Sequence, residues 1–295
     1  MSDLKDTSIV IPAKNECGSI GDVVAAAIAL KPLEVIVVDD GSTDTTAAVA
    51  TAHGARVLTH RYSMGNGAAI KSGARCAKGR WLAFMDGDGQ HQAADLVKLI
   101  EKLREGYDLV VGARDSRGQS SFGRSLGNRI YNWLASWMVG RHVADLTSGM
   151  RAVSASKFKE ILYLLPNGFS YPTTSTMAFF RSGYQVGFVP IQVLQRTSST
   201  GSHINLYRDG VRFLLIIFKI GALYSPVKIF FPTSLLFLIS GLSYFAFTLL
   251  TDGRFTNFGA LLLTTSVLVF LIGLVSEQIT NLMFLPTNRK DDNER

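Results

Sequence analysis

The chain has 295 residues, room for one sizeable core and something smaller. Apolar residues make up 47% of it and its net charge is +7, an apolar share that is high for a purely soluble protein. Two cysteines, Cys17 and Cys76, exclude a disulfide framework, suit a reducing compartment, and read best as small buried packing residues.

MSDLKDTSIV carries no basic-then-apolar leader. SIVIPA (8–13) reads as a strand, SIGDVVAAAIAL (19–30) as a helix, and VIVVDD (35–40) as a second strand. A helix through TTAAVATAHG follows, with Ser42 or Asp44 as its cap. ARVLTH, AAIKSGARCAKG, WLAFMD (81–86), AADLVKLIEKLREG and DLVVGAR (108–114) continue the alternation. Apolar strands alternating with helices predict an α/β, doubly wound, mostly parallel sheet over residues 1–204. The segment 205–227, with charges early and an apolar middle, predicts a helix at a membrane interface.

No charged residue occurs from Ile229 to Thr251 or from Phe255 to Ser276. Each run is long enough to cross a bilayer, so 228–284 predicts a transmembrane hairpin and 285–295 a tail. Lys219, Lys228, Arg289 and Lys290 flank the hairpin while Arg254 alone marks its turn, which puts both ends and the N-terminal portion in the cytoplasm. Arginines crowd 112–151 against only Asp115 and Asp145; beside a lipid bilayer this charge points to headgroups and phosphates rather than nucleic acid. Two helices make a meagre anchor, which leaves room for a homo-oligomer.

In open parallel sheets ligands bind beyond the carboxyl ends of the strands, and there IPAKNE, DDGSTD and DGDGQ gather their acids. DGDGQHQ is not an EF-hand, since His91 and Val97 stand where Gly and Glu are needed, and Gln90 replaces the Thr of a DxDxT phosphatase. Asp86, Asp88 and the Gln90 amide are hard ligands suited to Mg²⁺ or Mn²⁺ that holds a diphosphate; a plain strand-ending Asp pair is the weaker alternative. His91 reads as packing or a contact behind the ligands. GNGAAIKSG (65–73) lacks the third glycine of a dinucleotide fingerprint and the G-K-[ST] of a phosphate loop. It predicts a flexible loop closing on a ligand, with Lys71 either near phosphate or on a solvated helix face.

IPAKNE, VVDDGSTD, GNGAAIKSG, DGDGQHQ and VVGAR, in that order and spacing, resemble the family 2 glycosyltransferases of the GT-A fold. Within it the chain is similar to the dolichol-phosphate mannose synthase group, which transfers sugars from nucleotide-sugars to polyprenyl phosphates. The resemblance implies that Pro12, Ala13, Glu16, Asp39, Asp40 and Asp86 hold the nucleotide, and that Asp86, Asp88 and Gln90 ligate the metal. It implies acceptor-phosphate contacts from Arg114 and Arg129, with Arg124 nearby. A later segment, RTSSTGSHI, corresponds loosely to the family's R-x-x-G-K-S-K/H through Arg196, Ser202 and His203, with a two-residue insertion and no lysine. DLTSGMR matches a segment near the sugar pocket, implying Asp145, Ser148 and Arg151, and NGFSYPTTST (167–176) supplies further candidates.

A lipid phosphate is largely ionised near pH 7, so no general base is needed. Asp88, Arg114 and Arg129 would then carry catalysis by positioning and charge neutralisation, with inversion at the anomeric carbon. A processive polysaccharide synthase is disfavoured because its Q-x-x-R-W motif is absent: Arg80–Trp81 has Ala77 where the glutamine should stand, and neither Trp133 nor Trp137 follows an arginine. A transferase to a glycerolipid hydroxyl would use Asp145 as base. A non-catalytic nucleotide-sugar-binding membrane protein is the remaining alternative.

Overall fold

The computed structural model describes residues 4–114, 122–168, 171–193, 218, 221–254 and 256–284. The chain divides into two compact units, Met1–Ser202 and His203–Arg295.

Among the described residues the first unit is built on seven strands: β1 (Thr7–Ala13), β2 (Glu34–Asp39), β3 (Arg56–Thr59), β4 (Trp81–Phe84), β5 (Leu109–Arg114), β6 (Arg151–Ser154) and β7 (Val186–Ile191). Their order in the sheet is β3-β2-β1-β4-β6-β5-β7. All pairs are parallel except those of β6, which runs antiparallel to both β4 and β5. The sheet is mostly parallel, as expected, with β6 the exception. The chain reaches β6 from the ligand edge, through the 143–150 loop, and has to descend where its neighbours rise.

Helices α1 (Ile20–Ala29), α2 (Thr46–Ala52), α3 (Asn66–Cys76) and α4 (Ala94–Arg104) connect the first five strands. Next come α5 (Phe122–Val139), α6 (Ala155–Glu160) and α7 (Tyr171–Arg181). Every residue of β1 is buried, as expected of a central strand covered on both faces. Ile9 and Ile11 join Val35, Val37, Leu96 and Ile100 in the core on one face. On the other, α3 approaches so closely that a β-carbon at Gly73 would overlap the Val10 side chain. Neither Ser42 nor Asp44 occupies the cap position of α2, which falls to Thr45; Asp44 instead accepts the Thr46 N–H at 3.0 Å. The cysteines are not core residues: Cys17, in the turn after β1, is exposed, and Cys76, the last residue of α3, is half-buried.

In the second unit, helices Pro226–Asp252 and Asn257–Met283 pack as an antiparallel hairpin, each 27 residues long. Gly253, left-handed at φ 62°, ends the first, and the Thr256 hydroxyl caps the second by accepting Gly259 N–H at 3.3 Å. Small residues recur every seventh position on both helices: Ser234, Gly241 and Thr248 on one, Gly259, Ser266, Gly273 and Thr280 on the other. All are buried, and the Ser266 hydroxyl donates to the Ser234 carbonyl at 2.8 Å. This spacing keeps one narrow stripe of each helix toward its partner and lets the backbones close in, as membrane helices do. The outward faces are large and apolar. Most of the segment expected as an interfacial helix, and the whole of the charged tail, lie outside the described residues.

Candidate active site

The parallel strands β1, β2 and β4 end at one edge, with Ala13 level with Asp39 and Val10 level with Phe84. The loops that follow are laced together. Asn15, in the left-handed region at φ 54° that Asn tolerates, accepts Thr43 N–H at 2.8 Å and donates its own N–H to Ser42 Oγ. Glu16 N–H reaches Thr46 Oγ1 at 2.9 Å, and Ser19 Oγ reaches the Gly87 carbonyl at 2.8 Å. Asp39 Oδ1 accepts both the N–H and the hydroxyl of Ser42, shaping the turn.

Asp40 is a hub. Its Oδ1 meets His60 Nδ1 and Met64 N–H, and its Oδ2 meets Ser63 Oγ and Gly65 N–H, all at 2.8 Å. Burial alone would raise its pKa, but these hydrogen bonds prevail and bring the carboxyl down to about 2. All four acceptor positions of the carboxylate are used, so Asp40, which also borders the larger cleft at this edge, holds the 60–65 loop. The loop before α3 is correspondingly anchored rather than free to close. A β-carbon at Gly65 would stand 2.6 Å from the Asn167 carbonyl, and one at Gly67 would overlap the Pro166 carbonyl. The two glycines of GNG serve that close approach. The Lys71 ammonium is engaged by the chain itself: it donates to the Leu165 carbonyl at 3.1 Å and to Asn167 Oδ1.

Two cavities open at this edge. A cleft of about 490 Å³ is bordered by Pro12, Lys14, Glu16, Ser63, Asn66 and Asp88, a size typical of small-molecule sites. A smaller one of about 150 Å³ is bordered by Asn66, Thr147, Gly149, Gly168, Tyr171 and Thr173. Asp86 lines both. Burial pushes its carboxyl up, and of the nearby charges His91, Arg151 and Arg114 oppose that rise while Asp88 adds to it. His91 Nδ1 lies 3.4 Å from Asp86 N–H and 3.6 Å from Oδ2, a contact behind the carboxylate. Asp88 Oδ1 accepts Gln90 N–H at 3.1 Å, tightening the turn.

This pair fits a hard divalent cation. Asp88 adds to the cost of ionising Asp86, and a positive charge at the pair relieves that cost. Among the described residues no group of three His, Cys, Asp or Glu side chains forms a closed cage. A cation here would complete its shell with water and phosphate oxygens, as Mg²⁺ does.

The arginines divide. Arg114, at the end of β5, forks onto Asp145 through Nε (2.7 Å) and Nη2 (3.1 Å), and Nη2 also reaches Thr147 Oγ1 at 2.5 Å. Asp145 further accepts the N–H groups of Thr147 and Ser148. Burial works against its charge, but Arg114 outweighs it and holds the carboxyl below its ordinary range. A carboxylate so engaged is a poor general base. Arg151, expected at the sugar pocket, is 0% exposed. It donates to the Pro172 and Ser148 carbonyls and to Ser175 Oγ, and lies 5.5 Å from the Tyr171 ring. Ser148 is likewise buried; its neighbours Thr147 and Gly149 line the cavity instead. Arg129 is exposed on α5 and borders neither cavity. Arg196, Ser202, His203 and the Arg124 side chain lie outside the described residues.

Residues 8–182 match the family described as Glycosyl transferase family 2, and residues 225–282 match the GtrB C-terminal hairpin. The chain belongs to glycosyl transferase family 2. Glycosyltransferase AglJ of Haloferax volcanii is 30% identical over 226 residues, covering 75% of this chain and 74% of that protein. The dolichyl-phosphate hexose transferase of the same organism is 30% identical over 66% of this chain and 86% of its own. The dodecaprenyl-phosphate galacturonate synthase of Rhizobium johnstonii is 33% identical over 53% of this chain, and the match spans 50% of that protein. Among solved structures, glucosyl-3-phosphoglycerate synthase from Mycobacterium tuberculosis in complex with Mg²⁺ and uridine diphosphate superposes with a TM-score of 0.57 at 25% identity, covering 72% of this chain and 78% of that one.

Within this family 2 domain the sequence left Asn66 unremarked, although it lines both cavities. Its only local sign was its place as the first residue of α3, between two glycines. Gly149 was quoted inside DLTSGMR without a role, because what it touches, Asp86, is remote in sequence.

Proposed function

We propose that this family 2 glycosyltransferase moves a hexose-type sugar from a nucleotide-sugar to a polyprenyl phosphate, with inversion at the anomeric carbon. The observation that carries the reading is that Asp86 walls both cavities. The larger cleft, with Pro12, Glu16 and Asp88, suits the nucleoside diphosphate; the smaller, with Asn66 and Tyr171, suits the sugar.

Asp86 and Asp88 would hold Mg²⁺ or Mn²⁺, with Gln90 beside them; when bound, the cation neutralises the departing diphosphate. The chain's own residues then hold the reactants in line. Ser19 and Asp40 fix the loops around the diphosphate, and Gly149 leaves Asp86 room to face it. A phosphate monoester with a second pKa of about 6 is already a nucleophile, so no proton need be removed. Keeping two anions together requires positive charge on the acceptor side; Arg114, paired with Asp145, is proposed to contribute to it, and Arg129, Arg124, Arg196, Ser202 and His203 to guide the lipid phosphate inward.

The acceptor assignment draws on the dolichyl- and dodecaprenyl-phosphate enzymes that the chain resembles and on its apolar hairpin. The flanking charges orient the catalytic domain toward the cytoplasm. Transfer to a glycerolipid hydroxyl is the weaker reading, since its candidate base, Asp145, is committed to Arg114.

The test offers labelled nucleotide-sugars to the full chain with undecaprenyl phosphate, dolichyl phosphate or diacylglycerol, with and without Mn²⁺. Label in a polyprenyl phosphate, dependent on metal and lost in Asp88→Ala, is expected; label in diacylglycerol alone would overturn the assignment.

A further inference from the structure

The outer face of α5 is unlike the rest of the catalytic unit's surface. Arg129, Ile130, Trp133 and Trp137 fall within roughly 100° of arc at 3.6 residues per turn. Ile130 is 45% exposed, Trp133 67% and Trp137 42%, and Arg129 is exposed beside them. The helix, FGRSLGNRIYNWLASWMV, contains no acidic residue, and exposed Arg141 and His142 follow it.

The helix cannot turn this face inward. Its opposite side, Tyr131, Ala135 and Met138, is buried in the domain. Its edge is fastened to the 143–146 loop: Asn132 Nδ2 donates to the Ala144 carbonyl at 2.7 Å, Leu146 N–H to Asn132 Oδ1 at 3.0 Å, and Val143 N–H to Ser136 Oγ at 2.9 Å. Two tryptophans and an isoleucine held outward form a patch that soluble surfaces rarely keep contiguous.

We infer that this face of α5 docks on an anionic bilayer, Trp133 and Trp137 at the headgroup level and Arg129, with Arg141 just beyond the helix, on lipid phosphates. Charge decides between occupants. A second copy would bring arginine against arginine, whereas an anionic leaflet matches a basic helix without carboxylates. Indole rings, apolar with one donor, partition to that boundary, and the hairpin keeps the domain beside it. Docking would also bear on the site, because α5 grips the loop that carries Asp145 and hence the Arg114 fork. The inference goes beyond the transfer reading, since it requires the bilayer but not the chemistry.

Tryptophan emission can test it in the full chain. The hairpin contains no tryptophan, so the signal comes from Trp81, Trp133 and Trp137 only. The protein is reconstituted in vesicles of phosphatidylglycerol and phosphatidylcholine brominated either near the glycerol or near the acyl terminus. The expected result is several-fold stronger quenching of the native chain than of Trp133→Phe/Trp137→Phe. Shallow bromines should outperform deep ones, as an interfacial helix lies roughly 5–10 Å into the headgroup boundary. Equal quenching of the two proteins would overturn the inference. So would indoles shielded from lipid together with a smaller particle mass in the double variant, the mark of a contact between copies. Neither readout depends on turnover, so a failed transfer assay and a failed docking test remain distinguishable.

Discussion

Gly149 lies against the carboxylate of Asp86: a β-carbon there would stand 2.6 Å from Oδ2 and 3.0 Å from Oδ1. Gly149→Ala must therefore push Asp86 out of its place in the wall shared by the two cavities. A displacement of about 1 Å at a reacting centre can cost on the order of 100-fold in rate. That loss is expected in kcat, with a thermal midpoint close to the native one; a variant that keeps full kcat would remove Asp86's position from the mechanism.

The Arg114–Asp145 fork is mostly buried, and breaking such a pair leaves a charge without its partner. Asp145→Ala is expected to destabilise the protein by about 3 kcal/mol, the lower end for buried pairs because Arg114 remains partly exposed. The pH dependence has a definite sign. Asp145 is held below its ordinary carboxyl pKa, so the pair's contribution is whole above that ordinary value. It fades as pH falls through the depressed one. Denaturant titrations of both proteins across acid pH would trace the difference.

Asp40→Asn keeps the shape of the hub but puts an amide donor among groups that donate. Roughly 2–3 kcal/mol of stability should go at neutral pH. Because the native carboxyl titrates at about 2, the gap between the proteins should stay constant down to about pH 4 and close only below it. Ser63 and Gly65 border the cleft, so weaker nucleotide binding, read as a raised KM for the donor, should accompany the loss.

Within the hairpin, a β-carbon at Gly273 would meet Phe230 Cβ at 2.6 Å. Gly273→Leu should separate the two helices and lower the detergent-solubilised chain's resistance to heat, whereas Leu236→Ala, on the exposed outer face, should not. Equal effects from the two would show that the seam of small residues contributes nothing.

Legibility followed the range of the interactions. The apolar runs of β1, β2 and β4 end abruptly in polar loops, so strands and ligand edge could be read locally. β6 could not: it has four residues, opens on an arginine, and forms only because β4 and β5 flank it. Arg151 misled for the same reason, since its carbonyl and hydroxyl partners come mostly from α7, 21 to 25 residues away. GNG looked like a flexible loop because both the carboxylate and the carbonyls that pin it, from Asp40 and from Pro166 and Asn167, are distant in sequence. The hairpin was plain from its uncharged length, while its seven-residue seam was written in residues too small to stand out.

Asp86 and Asn66, each belonging to two cavities, make those cavities a single thermodynamic system. Whatever charge enters one changes the free energy of filling the other, and linkage requires the effect to be equal in both directions. The nucleoside diphosphate in the larger cleft and the sugar in the smaller would then help or hinder one another by the same factor, so the affinity of the whole donor would differ from the sum of what its two halves show apart.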